Sequence, residues 1–166
     1  ASTIFVPYIQ NLNLDNFVFA SPDVGGAKRA NSYAKYFNTA LVLCHKQRLK
    51  ANVVADMKVI GDVKGKNVIL IDDMIDTGGT ICKAADLMKS EGALTVRAFA
   101  SHAVMSGTAA EKIMDSALDE VVFTNSRPFD AEKCPKATVL SVASLFSDTI
   151  RRVLNNESIS SQYLFK

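Results

Sequence analysis

The sequence lacks the features that mark membrane and secreted proteins. No apolar run reaches the roughly 18 residues that a membrane-spanning helix requires. The first ten residues, ASTIFVPYIQ, lack the basic segment that begins a signal peptide. We therefore expect a cytoplasmic protein that has no membrane partner.

The chain also contains few cysteines and little net charge. Its three cysteines, Cys44, Cys82 and Cys134, lie far apart and show no spacing suited to a zinc site, so we expect reduced thiols. The formal net charge of +2 is too small to predict nucleic-acid binding. Any basic chemistry must therefore be local, and we expect no nucleic-acid partner.

Nothing in the sequence divides the chain into separate domains. It contains no internal repeat, low-complexity tract or linker. A chain of 166 residues, 48% of them hydrophobic, is long enough for one domain to bury about two-thirds of its unfolded surface. We expect a single domain over residues 1–166.

Short apolar runs alternate with helical patterns along the chain. Apolar residues recur at helical spacing within 27–37, 81–88 and 145–153. The strand-like runs are FVFA (17–20), ALVL (40–43), NVILI (67–71), TVRAFA (95–100), EVVFT (120–124) and TVLSV (138–142). Because these runs are continuously apolar, the pattern predicts an α/β fold in which a parallel sheet is flanked by helices on both faces.

One segment interrupts this alternation. Residues 45–58, HKQRLKANVVADMK, carry four Lys or Arg residues and show no clear period, so we predict a mobile loop. Alternation with a period of two would place Lys46, Arg48 and Lys50 on one face of an extended segment. Such a face could neutralise a polyphosphate. A solvated basic loop is the alternative.

The strongest functional signal is the segment DDMIDTGGT, residues 72–80, which follows the NVILI run and leads into a helix. Asp72 and Asp73 follow the strand, and ligands of open α/β sheets bind at that carboxyl edge. Residues 77–80 form a turn into the helix, whose unpaired N–H groups and dipole favour an anion. The segment therefore predicts a phosphate-binding loop beside two carboxylates.

The acidic residues of this segment would repel a phosphate unless they bind something else. An ionised carboxylate only accepts hydrogen bonds, and a vicinal diol offers two donors. Asp72 and Asp73 therefore suit the hydroxyls of a ribose whose phosphate lies in the loop. The alternative is that the acids merely cap a helix, although one cap does not need three acids and two glycines.

A second turn of the same kind is SPDVGGAKRA, residues 21–30, where Asp23 precedes two glycines at the end of the FVFA run. It would lie on the same edge of the sheet. Asp23 could bind magnesium or a sugar hydroxyl. A turn with a helix cap explains this motif about as well.

Taken in order, four segments give the chain a resemblance to ribose-phosphate pyrophosphokinases over essentially its whole length: SPDVGGAKRA, HKQRLKAN, GDVKGKNVILIDDMIDTGGT and ESISSQYLF. The resemblance implies a type I phosphoribosyltransferase-like domain. It implies that Asp23 binds Mg²⁺ and that Lys46 and Arg48 are catalytic. It also implies that ribose 5-phosphate is bound by Asp72, Asp73, Asp76, Thr77, Gly78, Gly79 and Thr80.

The activity that this resemblance implies is transfer of the diphosphoryl group of Mg-ATP to ribose 5-phosphate, which gives phosphoribosyl diphosphate and AMP. Members of the family are homo-oligomers of the hexamer-of-dimers type, with chains roughly double this length. Their N-terminal domain, which supplies most of the ATP site, has no counterpart in this sequence. We therefore expect the chain to be the ribose 5-phosphate-binding half, inactive by itself.

Three other functions compete with this interpretation. A nucleobase phosphoribosyltransferase shares the acidic loop but displaces diphosphate with a base; HKQRLKAN and the SPDVGG turn favour the pyrophosphokinase. A non-catalytic regulatory homologue would be expected to lose Lys46 and Arg48, and both are present. A receiver domain needs a phosphoacceptor aspartate after a later strand, whereas TVRAFA leads into Ser101 and His102.

Overall fold

The strands of this protein form one sheet. The computed structural model of the chain describes residues 1–47 and 56–165. Its strands are β1 Phe17–Ser21, β2 Leu41–Gln47, β3 Asp56–Ile60, β4 Asn67–Ile75, β5 Thr95–Ala103, β6 Glu120–Thr124 and β7 Ala137–Leu140. They lie in the order β3-β2-β1-β4-β5-β6-β7, and β3 is antiparallel to β2 while all other neighbours are parallel.

Helices precede, separate and follow the strands along the chain. They are α1 Ser2–Asn11, α2 Ala27–Tyr36, α3 Gly79–Ser90, α4 Ala109–Asp115 and α5 Ala143–Leu154, with short 3-10 helices at Ala131–Lys133 and Ser160–Gln162. Within the described ranges, no helix is both long and apolar enough to cross a bilayer.

Both faces of the sheet are buried. In β4, Val68 and Leu70 belong to a cluster with residues of α3, while Ile69 and Ile71 belong to the opposite cluster with residues of α1 and α2. Each of these four side chains is at most 1% exposed. Two-sided burial explains why the NVILI run is continuously apolar, because successive strand residues point to opposite faces. The predicted α/β fold, with helices on both faces of the sheet, is confirmed.

Each of the six predicted runs overlaps a strand, but β2, β4 and β5 extend three or four residues beyond their runs. β4 continues to Ile75 and β5 continues to Ala103, and these two residues pair with each other. The extra residues of β4 include two of the three acids of the motif. Asp72 and Asp73 therefore lie on the strand itself rather than in the loop that follows it.

The prediction of one loop over residues 45–58 is wrong at both ends. β2 continues to Gln47, and β3 begins at Asp56 and pairs with it as the antiparallel edge strand. The described residues of β3 alternate between half-buried and exposed. An edge strand with one solvated face shows that alternation in place of a continuous apolar run, which is why the sequence did not indicate it. Residues 48–55 lie outside the described part of the chain.

The sequence analysis also missed two helices. α1 contains Pro7 near its middle, and proline is unfavourable in a helix interior. α4 has only 7 residues, too few to show a helical period. α4 matters for function, because it packs behind the segment that carries the strongest motif.

Candidate functional site

The carboxyl edge of the sheet brings the two acidic motifs together. β1 pairs with β4, with Ala20 opposite Leu70. The turn after β1 carries Asp23, and the end of β4 carries Asp72 and Asp73. Side chains that are about 50 residues apart in sequence therefore lie on the same edge, as the parallel arrangement of these strands requires.

The segment after β4 is a turn that needs glycine. Gly78 has a φ of +75°, in the left-handed region, and immediately precedes α3. A Cβ at this position would lie 3.4 Å from the carbonyl oxygen of Ala109, so the turn packs closely on α4. The first N–H groups of α3 have no partner within the helix and are available to an anion.

Other elements hold this turn from behind. The N–H of Ser106 donates to the carbonyl oxygen of Asp76 at 3.0 Å, and the hydroxyl of Ser106 donates to Oδ1 of the same residue. The Nζ of Lys112, in α4, donates to the carbonyl oxygen of Thr77 at 3.2 Å. These contacts fix the turn and were not predicted from the sequence, because Ser106 and Lys112 are 30 and 35 residues away from their partners.

These elements enclose a cavity of about 170 Å³. Six of the seven residues predicted to bind ribose 5-phosphate line it, together with Asp23 and three apolar residues. The lining residues are Asp23, Asp72, Met74, Ile75, Asp76, Thr77, Gly78, Gly79, Thr80 and Ile81. Asp73 is the predicted residue that does not line it. The lining of the cavity therefore combines carboxylates with the N-terminus of α3.

An arginine that the sequence analysis did not assign to the site bridges the two acids of β4. Arg29, in the first turn of α2, places Nη1 3.1 Å from Oδ1 of Asp72 and Nη2 3.0 Å from Oδ2 of Asp73. The position of Arg29 at the end of SPDVGGAKRA is the sequence feature that could have indicated its place in the site. Recognising that signal required knowing that β1 and β4 are neighbours in the sheet.

The two acids have opposite pKa shifts. Burial, together with the neighbouring Asp73 carboxylate, raises the pKa of Asp72 to about 6, although Arg29 opposes the shift. Burial of Asp73 acts in the same direction, but it is outweighed by the Arg29 guanidinium and by the hydrogen bond from the N–H of Met74, so the pKa of Asp73 is lowered. Near neutral pH, Asp73 stays ionised while Asp72 is the acid that titrates.

Asp23 has two features that bear on magnesium. Its Oδ1 accepts a hydrogen bond from the N–H of Gly26 at 2.9 Å, so it does cap the turn, and its exposed carboxylate also lines the cavity. Residues 1–47 and 56–165 contain no group of three or more His, Cys, Asp or Glu side chains that could hold a metal. Mg²⁺ is commonly held by one or two carboxylates, with waters and substrate phosphates completing its shell. Asp23, as one carboxylate that lines the cavity, fits that donor set.

The two predicted catalytic residues are only partly described. The backbone of Lys46 lies in β2, opposite Met57 of β3. Its side chain and the whole of Arg48 lie outside the described residues. β2 runs parallel to β1, so its carboxyl end is on the same edge of the sheet as Asp23.

Comparison with known proteins gives a consistent family. The sequence model described as "Phosphoribosyl synthetase-associated domain" matches residues 46–166. A ribose-phosphate pyrophosphokinase of Porphyromonas gingivalis is 55% identical over 165 residues, which cover 99% of this chain and 52% of that protein. A Helicobacter pylori ribose-phosphate pyrophosphokinase is 51% identical over 162 residues. The chain spans about half the length of the curated relatives it matches.

Solved structures agree with this comparison. The phosphoribosylpyrophosphate synthetase of Mycobacterium smegmatis matches 92% of this chain and 50% of its own, with a TM-score of 0.83 and 39% identity. An adenine phosphoribosyltransferase of Trypanosoma brucei matches 84% of this chain and 62% of its own, with a TM-score of 0.56 and 21% identity. The second match shows a shared fold alone.

Proposed function

This chain belongs to the family of ribose-phosphate pyrophosphokinases, the phosphoribosyl synthetases, and we propose that it supplies the ribose 5-phosphate site of such an enzyme. The enzyme would transfer the diphosphoryl group of Mg-ATP to ribose 5-phosphate, giving phosphoribosyl diphosphate and AMP. The observation that carries the proposal is the cavity that brings together the carboxylate of Asp72, on β4, and the anion-binding start of α3.

Ribose 5-phosphate carries the two kinds of group that this cavity suits: a phosphate for the N-terminus of α3 and vicinal hydroxyls for the carboxylates. Its phosphate would accept hydrogen bonds from the N–H groups of Gly79 and Thr80, with the hydroxyls of Thr77 and Thr80 as further donors. Its vicinal hydroxyls would donate to Asp72 and Asp73. Asp76, which Ser106 holds in the turn, would complete the site.

Asp23 is the residue that would hold magnesium. Its carboxylate would contribute one oxygen, and the substrate phosphates and water would supply the remainder. The bound ion would offset the negative charge of the diphosphoryl group. This role and the turn cap are compatible, because Gly26 donates to only one of the two carboxylate oxygens of Asp23.

The chain would act mainly by positioning its substrate. Holding the phosphate and the vicinal hydroxyls fixes the anomeric hydroxyl for in-line attack on the β-phosphorus of ATP, and such positioning can supply much of the rate. A new bond would form from the anomeric oxygen to the β-phosphorus, while the bond from that phosphorus to the α,β-bridging oxygen breaks. The bridging oxygen would leave with AMP, and the hydroxyl proton would pass to solvent. Lys46 and Arg48 would stabilise the charge that develops on the transferring group.

Further proposals concern the setting in which this domain works. Residues 1–166 would form one phosphoribosyltransferase-like domain, which is supported by the arrangement of all described strands in one sheet. From the family resemblance, we propose a cytoplasmic homo-oligomer that uses ATP and ribose 5-phosphate and binds no nucleic acid. A nucleobase phosphoribosyltransferase gains no support from the shared fold, since that likeness is present at low identity alone.

A chimera tests the proposed activity. Residues 1–166 would replace the matching half of the Porphyromonas gingivalis relative, and the product would be incubated with Mg-ATP and ribose 5-phosphate. We expect AMP and phosphoribosyl diphosphate in equal amounts. Conversion of a nucleobase and phosphoribosyl diphosphate to a nucleotide, without formation of AMP from ATP, would instead support the phosphoribosyltransferase.

The hydroxyl of Ser106 should contribute to ribose 5-phosphate affinity without touching the ligand. Ser106→Ala removes its hydrogen bond to Asp76 and loosens the turn. We expect the dissociation constant, measured by calorimetry, to rise about 3- to 10-fold, the range for one ordinary hydrogen bond. Ser126→Ala is the control, because Ser126 makes a comparable exposed hydrogen bond to Ser101. Equal increases in the dissociation constant for the two variants would contradict this role of Ser106.

Affinity for ribose 5-phosphate should depend on the ionisation of Asp72. Since the pKa of this acid is about 6 and its ionised form accepts the sugar hydroxyls, affinity should be full at about pH 8 and fall as the pH drops through 6. The ligand phosphate also titrates near pH 6. Affinities are therefore divided by those of 2-deoxyribose 5-phosphate, which shares the phosphate. A ratio that stays constant down to about pH 5 would contradict the prediction.

A further inference from the structure

We propose that Arg29 is a positioning residue that enables the two acids of β4 to recognise a vicinal diol. This inference rests on the proposed function, because it concerns the same cavity. The guanidinium of Arg29 contacts Asp72 at 3.1 Å and Asp73 at 3.0 Å, one nitrogen to each carboxylate. It thereby fixes the two side chains relative to each other.

The hydrogen bonds around these acids show which oxygens remain for a ligand. Oδ1 of Asp72 accepts both from Arg29 and from the N–H of Asp73, at 2.8 Å, so its two lone pairs are used. Within the described part of the chain, Oδ2 of Asp72 accepts no hydrogen bond from protein. Asp73 uses one lone pair of Oδ1 for the N–H of Met74 and one of Oδ2 for Arg29. The pair therefore keeps acceptor capacity, but only in a fixed set of directions.

Arginine is suited to this task for two reasons. Adjacent carboxylates repel each other, and a guanidinium that bridges them offsets that repulsion. Its planar fork also sets the spacing of the two acids, whereas the single ammonium group of lysine cannot reproduce that geometry. The other charged residues that line the cavity beside Asp72 are Asp23 and Asp76, both acidic, and Arg29 is the cation that pairs with Asp72 and Asp73 within the described residues.

The turn before α2 directs Arg29 toward β4. Asp23 accepts from the N–H of Gly26 at 2.9 Å, which shapes the turn. A Cβ on Gly26 would come within 2.6 Å of Oγ of Ser21 and within 3.6 Å of Nη1 of Arg29. A side chain at this position would therefore clash with Ser21 in the turn, whereas its contact with the Arg29 guanidinium would be an ordinary van der Waals contact. Gly26 therefore lets the turn pack closely on Ser21, with the guanidinium of Arg29 beside it.

Calorimetric titration of the 166-residue chain tests this role. Wild type, Arg29→Met and Arg29→Lys are each titrated with ribose 5-phosphate, 2-deoxyribose 5-phosphate and inorganic phosphate. For wild type we expect about a tenfold preference for ribose 5-phosphate over its 2-deoxy analogue, from one hydrogen bond to a charged acceptor. For both variants the preference should fall to about twofold or less, while affinity for inorganic phosphate stays within about twofold.

Lys28→Met is the matched control. Lys28 precedes Arg29 in the first turn of α2, is exposed, and makes no ion pair within the described residues. Lys28→Met removes one positive charge, as Arg29→Met does, but it changes no contact of Asp72 or Asp73. This variant should therefore keep the tenfold preference for ribose 5-phosphate over its 2-deoxy analogue. If Arg29→Met does not fold, as judged by its melting temperature, Arg29→Lys carries the test, because it keeps the charge and loses the fork.

The outcomes separate this inference from the proposed function. Retention of the tenfold preference in both Arg29 variants would overturn the positioning role and leave the ribose 5-phosphate site intact. An equal loss of affinity for all three ligands would also overturn it, since Arg29 would then act on the phosphate. If wild type bound inorganic phosphate yet showed no preference for ribose 5-phosphate, the proposed sugar site itself would fail and the inference with it.

Discussion

Lys46→Ala and Arg48→Ala should each lower turnover by about 10²- to 10³-fold in the chimera with the Porphyromonas gingivalis relative. Affinity for ribose 5-phosphate should stay within about twofold of the unmodified chimera, because neither residue is among residues 72–80, which are proposed to bind that substrate. Contacts to the transferring group strengthen mainly as charge develops in the transition state. The measurement is the rate of AMP release at saturating substrate.

The double variant and a third lysine make this prediction specific. If Lys46 and Arg48 act on the same phosphoryl group, the double variant should lose less than the product of the two single losses. Lys50→Ala is the control, since the period of two puts it on the same predicted face while the family resemblance gives it no role. A loss in Lys50→Ala as large as that in Arg48→Ala would mean that the segment is a diffuse basic patch.

Asp72→Asn should weaken ribose 5-phosphate binding about 10- to 100-fold, the second largest effect that we expect. The amide keeps the size of the carboxylate but loses the charge, and a hydrogen bond to a charged group contributes about 1.5–3 kcal/mol. Asp72 lines the cavity, whereas Asp73 does not, so Asp72 should matter more for the sugar. Calorimetry on the isolated chain measures the change directly.

The same substitution should leave the fold intact. Burial raises the pKa of Asp72 to about 6, so at neutral pH the folded chain holds this carboxylate in a charged form that its surroundings disfavour. A neutral amide removes that cost, and Arg29 keeps its contact with Asp73. We therefore expect the melting temperature at neutral pH to be unchanged or higher. A fall in both melting temperature and affinity would mean that the loss of binding is indirect.

Local patterns predicted most of the fold. NVILI is buried on both faces of the sheet, and a strand of this kind can be recognised from its unbroken run of apolar residues. β3 lies at the sheet edge, where backbone pairing with β2 defines the strand although its side chains alternate between two environments. The extension of β4 to Ile75 depends on its pairing with β5, which no local pattern can indicate.

The candidate site likewise has one part that local sequence predicts and another that depends on contacts between distant segments. Residues 72–80 were predicted from consecutive residue types, because a strand, two acids and a glycine turn follow one another in the chain. Arg29 was missed because its partners are 43 and 44 residues away. The roles of Lys46, Arg48 and Asp23 stay predictions, since they depend on substrates and on side chains beyond the described geometry.

One titration tests the central claim, that residues 72–80 form the ribose 5-phosphate site. Isotope-labelled chain would be titrated with ribose 5-phosphate while the backbone amide resonances are followed by NMR. We predict saturable shifts that are largest at Gly78, Gly79 and Thr80, with smaller shifts at Asp72 and Asp73. No saturable shift, or shifts concentrated on the groove along α2 that Lys28 and Tyr36 line, would contradict the account.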